Sequence, residues 1–191
     1  IDNNSVDASP AKTSINNANH SSGVTVGSIR VRNNGEFKVG TGTTLTLIGS
    51  GTTVEVDSSS ELSNSGTLVV SGTGGYIAGT FVNETESGSA VNYIGNTFNS
   101  GVTIFDATYS QLGINNVNTT FSIDPTSSSL SAQDISLTGG TLTTTNAQTI
   151  TVSGSWLGGG ADGRTGGFSA GTGSVILNSA EDSEQLTSSG A

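Results

Sequence analysis

Cysteine and methionine are both absent from the 191 residues. The first absence excludes disulfides, a thiol nucleophile and a thiolate metal site. The second extends to position 1, which predicts a mature or excised piece of chain. Proline occurs twice, and charged residues are 10% of the chain, against about 25% in an ordinary soluble domain. Disordered chains are normally rich in both, so plain disorder is not the expectation. No apolar run approaches the ~18 residues of a membrane span, and no signal peptide is visible. Five basic residues face fifteen acidic ones, for a net charge of −10. That balance excludes nucleic acid as a partner, because phosphates need a Lys/Arg patch. It equally disfavours anionic lipid, and no membrane insertion is expected.

What fills the chain instead is small and polar. Serine (31), threonine (28), glycine (28) and asparagine (17) dominate, while hydrophobic residues are 31%, below the roughly 45–50% of a typical domain. The apolar residues are mostly Val, Ile, Leu and Phe, which suit a pleated, half-buried surface. Residues 1–22 lack apolar periodicity and read as an N-terminal cap, linker or docking segment. From Val24 onward the pattern is period-two alternation: Val24/Val26, Ile29/Val31, Phe37/Val39, Leu45/Leu47 and Val54/Val56. It continues through Leu68/Val70, Val91/Tyr93, Leu112/Ile114, Phe121/Ile123, Ile135/Leu137, Ile150/Val152 and Val175/Leu177. Such alternation marks strands with one buried face. Asn33-Asn34-Gly35, Gly49-Ser50-Gly51 and Ser63-Asn64-Ser65-Gly66 between them are turn chemistry.

Short strands at intervals of 6–12 residues suggest a sandwich, a barrel or a stacked solenoid. The glycine spacing and small side chains favour the solenoid over residues 23–191. The fold class expected is all-β: a single-stranded parallel β-solenoid (β-helix), right-handed because that is the commoner hand. With roughly 20 residues per coil and about 4.8 Å per rung, it would make about eight coils and a rod some 40 Å long. Its two ends are open strands that invite pairing. Charge is uneven: residues 1–38 sum to +1 and residues 39–191 to −11. The default reading is a random excess of acid on a secreted surface; the sharper one is an acidic end that meets a less acidic end in head-to-tail self-assembly.

The stretch Leu137–Leu177 resembles repeats of large secreted bacterial β-solenoid surface proteins of the adhesin type. The residues that carry the resemblance are Gly139-Gly140-Thr141-Leu142, Ile150-Thr151-Val152-Ser153-Gly154-Ser155-Trp156 and Gly167-Phe168-Ser169-Ala170-Gly171-Thr172-Gly173-Ser174-Val175. Gln185–Gly190 looks like the step into a next unit, and Tyr109–Asn116 and Thr41–Asn83 are similar to earlier parts of one. The resemblance implies an extracellular, non-catalytic protein of the cell surface.

The inventory for chemistry is thin. His20 is the single histidine, in a polar stretch, and reads as a solvated loop residue rather than part of a Ser-His-Asp arrangement. Alternation puts Glu55 and Asp57 on one outer face, about 7 Å apart along the strand, so an acid/base pair for glycoside cleavage is conceivable. Arg30, Arg32, Glu36 and Lys38 face outward by the same rule, and pairing of opposite charges on adjacent rungs is the stronger expectation. Asp162 after a glycine run, and Glu181, Asp182 and Glu184, supply carboxylates for calcium. A solvated acidic turn remains the default there, and no cofactor, metal or catalytic residue is assigned. Four N-x-S/T sequons (Asn3, Asn19, Asn83, Asn118) are no more than chance gives in so Ser/Thr-rich a chain. Trp156, Tyr76, Tyr93 and Tyr109 read as rung fillers, with a sugar-stacking platform as the alternative. The function expected is a non-catalytic structural protein, a subunit or segment of an adhesin or filament, with surface glycans as further partners. The alternative is a polysaccharide-binding or polysaccharide-cleaving β-helix that uses surface carboxylates.

Overall fold

The computed structural model describes residues 5–8, 12–15, 23–84, 88–95, 101–158, 165–179 and 186–187. Among these residues there is no helix, and every strand pairing is parallel. The chain winds as a three-sided β-solenoid, in which each coil lays one strand on each face. The first coil supplies β1 (Ser5–Ala8), β2 (Lys12–Ile15) and β3 (Val24–Val26). The second supplies β4 (Ser28–Val31), β5 (Glu36–Val39) and β6 (Thr44–Leu47), and the third β7 (Val54–Val56), β8 (Glu61–Asn64) and β9 (Thr67–Ser71). Next come β10 (Gly75–Ile77), β11 (Thr80–Asn83), β12 (Ala90–Gly95) and β13 (Val102–Ile104). The long β14 (Thr108–Ile123) and β15 (Ser129–Thr143) each bend around more than one face. After them, β16 (Thr149–Val152), β17 (Trp156–Leu157), β18 (Gly167–Ser169), β19 (Ser174–Leu177) and β20 (Leu186–Thr187) complete the stack.

Pairing skips two strands at each step: β1 lies beside β4, β2 beside β5 and β3 beside β6. The two strands within residues 1–22 therefore extend the stack, although their sequences Ser-Val-Asp-Ala and Lys-Thr-Ser-Ile carry little apolar pattern. On the third face Val24, Leu45, Leu68, Val91, Leu112, Ile135, Trp156 and Leu186 stand in register. Their numbers show coils of 21 or 23 residues, lengthening to 30 at the last step.

The alternation in the sequence is the packing rule of the core. In β5, β6 and β7 the apolar partners are buried, and the residues between them are half-exposed. Inward side chains from all three faces meet in one continuous column, with Ile29, Phe37, Leu45, Leu62, Leu68, Leu112 and Phe121 buried. Each is covered by the coil above and the coil below, so a thin core is stable only as a stack. The interior thickens midway. There Phe105 meets the rings of Phe81 and Tyr93 edge-on, at 5.6 and 5.5 Å between centroids.

Candidate functional site

The outer face of β4 and β7 is where the sequence concentrates its charge. The register sets Arg30 directly beside Glu55. Arg30 Nε donates to Glu55 Oε2 at 3.1 Å, and Arg32 Nη2 donates to Oε1 at 2.7 Å. One carboxylate thus bridges two guanidinium groups of the preceding coil, the cross-rung pairing that alternation predicts. Both arginines and Glu55 remain over a third exposed, so each contact is worth only about 0.2–1 kcal/mol. On the neighbouring face Lys38 Nζ donates to Glu84 Oε1 at 3.0 Å, and this ammonium group holds the Glu84 carboxyl below its ordinary range.

Asp57 stands just past β7, at the corner. Coil-to-coil hydrogen bonding there is dense, because Asn33 and Asn34 both adopt the left-handed conformation (φ 56° and 60°). Their turn aims three successive backbone N–H groups at the next coil. The Asn33 N–H donates to Asp57 Oδ2 (2.8 Å), that of Asn34 to Ser59 Oγ (3.3 Å) and that of Gly35 to Ser60 Oγ (3.2 Å). The Ser60 hydroxyl, the Asn33 N–H and the Ser59 hydroxyl and N–H together lower the Asp57 carboxyl to about 2. A group held ionised in this way is a poor proton donor for glycoside cleavage. Glu55 and Asp57 therefore act in the fold as a cross-rung clamp and a corner cap.

Two further corners use amides for the same purpose. Gln148 is buried; its Nε2 donates to the carbonyls of Asp124 (2.9 Å) and Ser127 (3.0 Å) one coil back. Its Oε1 accepts from the Thr145 N–H at 3.1 Å. Asn64 and Asn83, neighbours in register, form an internal asparagine step, with Asn64 Nδ2 donating to Asn83 Oδ1 at 2.8 Å. Asn83 is buried, so this sequon faces the interior. Nothing in the sequence singles out Gln148, and Asn64 reads there only as part of a turn, since their value depends on which turn the coil length sets beside them.

The aromatics pack inside. Tyr93 and Tyr109 are wholly buried, and their hydroxyls lie 3.2 Å apart. Tyr109 donates to the Phe105 carbonyl (2.7 Å), and Tyr93 accepts from the Phe105 N–H (3.0 Å). With the Tyr109 proton committed to a carbonyl, Tyr93 is the donor between the two hydroxyls. Burial raises both phenols well above their usual range. Trp156 sits edge-on to Phe168 at 5.2 Å and is also buried. These three residues therefore fill rungs rather than form an external platform. The Tyr76 side chain lies outside the described residues, as do His20, Asp162, Glu181, Asp182 and Glu184. Among the described residues no three metal-ligating side chains converge.

The outer surface of the third face is grooved where β12, β14, β15 and β17 cross it. Two shallow depressions of about 280 and 350 Å³ share Asn92, Gly113 and Ser136. No family model, no curated protein and no solved structure matches the chain.

Proposed function

We propose that this chain is a non-catalytic structural protein, a β-solenoid subunit or segment of an extracellular, cell-surface adhesin or filament. On this reading its open end takes a further coil. One observation carries the reading. Val152 and Leu177 stand in register on consecutive coils, yet Val152 is buried while Leu177 is 47% exposed. Beside it Ile176 is 50% exposed. A core-facing leucine left in water at a parallel edge is an unfinished rung, and another coil would cover it.

That coil comes from a second copy in a filament, or from further chain in a longer adhesin. In the first case head meets tail, an interface that propagates because it does not close on itself. The charge distribution supports this polarity, with +1 over residues 1–38 and −11 over the remainder. The secreted bacterial character rests on the resemblance of Leu137–Leu177 to surface-protein repeats. The engagement of Glu55 and Asp57 in coil-to-coil contacts supports a structural role over a cleaving one.

Light scattering over a concentration series tests the stacking. The purified chain is expected to associate as concentration rises, and Leu177→Asp is expected to remain monomeric with an unchanged far-UV spectrum. Association undiminished by Leu177→Asp would place the contact elsewhere and overturn the axial reading.

A further inference from the structure

We infer that the groove on the third face is a binding site for an extended neutral saccharide laid along the solenoid axis. This inference stands apart from the end-to-end reading, because the groove lies midway along the stack.

It starts from a glycine that the backbone does not need. Gly113 lies within β14 between Leu112 and Ile114, which are both buried, so position 113 faces outward. Its φ is not in the left-handed region, and any residue could adopt the conformation. Glycine inside a strand weakens it and often marks a place where another group must approach closely. A Cβ built at 113 would run into the carboxamide oxygen of Asn92 on the adjacent coil, the tip of a side chain rather than backbone. That carboxamide lies over the bare backbone and takes the space a side chain at 113 would fill, so nothing projects outward from position 113 itself.

Register carries this low surface along a trough. Val69, Asn92, Gly113, Ser136 and Leu157 stand side by side on five successive coils. The row crosses the strands at right angles, at about 4.8 Å per step. Gln111 and Asp134, neighbours in register, form one wall. The two depressions, about 280 and 350 Å³, lie just below and just inside the lower limit of the ~300–1,000 Å³ in which small ligands are held.

The chemistry of the lining selects the ligand. The carboxamides of Asn92 and Gln111 hydrogen-bond to no described protein group, which leaves donors and acceptors open along the trough. Asp134 is held in place, its Oδ1 accepting from the Ser155 N–H at 2.7 Å. Carboxamides, a hydroxyl and a fixed carboxylate match the mixed donor and acceptor pattern of sugar hydroxyls. Val69 and Leu157 offer apolar contact to the C–H faces of a ring. No Lys, Arg or His lines either depression, and the one charge is negative, so phosphate, sulfate and uronate ligands are repelled. An extended peptide is disfavoured too, since a sheet face offers no unpaired backbone row.

The test is an amide NMR titration of the full chain with cellohexaose and chitohexaose, with hexagalacturonate as the acidic comparison. At least one neutral hexasaccharide is expected to shift the amides of Gln111, Gly113 and Ser136, while hexagalacturonate leaves them still. Gly113→Val, which pushes the Asn92 carboxamide out of its place without demanding a new backbone, is expected to weaken binding roughly tenfold or more. The double variant Asn92→Ala/Gln111→Ala, which removes the open carboxamides and leaves the backbone alone, is expected to do the same. The inference is overturned if neither neutral sugar moves these amides, if hexagalacturonate moves them equally, or if both variants bind as the parent does.

Discussion

Asp57 shows how much of this fold rests on single polar side chains at corners. Its carboxylate receives the N–H of Asn33 from the coil before, together with the hydroxyl and N–H of Ser59. The Ser60 hydroxyl, foremost, and these bonds favour the ionised form, which puts its folded value near 2 against about 3.9 for an unfolded aspartate. With the folded value depressed, the contribution is complete above pH ~4 and is lost as pH falls through about 2. The melting-temperature difference between the parent and Asp57→Asn is therefore expected to hold steady from neutral pH down to about 4 and to close below it. A difference constant down to pH 2 would contradict the assignment. The buried phenols offer a second test at this scale. Tyr109→Phe leaves the Phe105 carbonyl without its donor and Tyr93 without its acceptor, at a cost of about 1–3 kcal/mol. Combining it with Tyr93→Phe is expected to cost less than the two single losses added, because both act on one network. Urea denaturation of the four proteins measures that coupling, and strict additivity would mean that the hydroxyls act independently.

At the scale of the strand and its turn, alternation was legible and register was not. The pairs from Val24/Val26 to Ile150/Val152 announce their buried faces because a strand has a period of two whatever it packs against. Outward placement of Arg30, Arg32 and Glu55 followed from the same rule. Which charge meets which depends on coil lengths that change along the stack, and a corner of two extra residues shifts every partner. The roles of Gln148 and Asn64 were invisible for that reason, and β1 and β2 were missed because their sequences are polar. The groove was hidden likewise, since only the register sets Asn92 and Ser136 on either side of Gly113. Gln148→Leu tests the importance of such corners. It strips the donor from two carbonyls and the acceptor from one N–H in a buried turn, and is expected to cost about 3 kcal/mol. A loss below ~0.5 kcal/mol, typical of an unremarkable surface site, would show the corner to be held by backbone bonding alone.

At the scale of the whole molecule, coils bury one another, and among the described residues β19 is paired on one side, with β16. Stability should then grow with each added coil, as in other one-dimensional stacks. On the proposed reading, the strand that exposes Leu177 is where growth takes place. The most direct test is negative-stain electron microscopy of the purified chain in physiological salt, across the concentrations used for light scattering. Unbranched filaments one solenoid wide, with an axial repeat near 40 Å from about eight rungs of 4.8 Å, are the expected result. Monodisperse short rods at every concentration would contradict the claim that separate copies stack end to end.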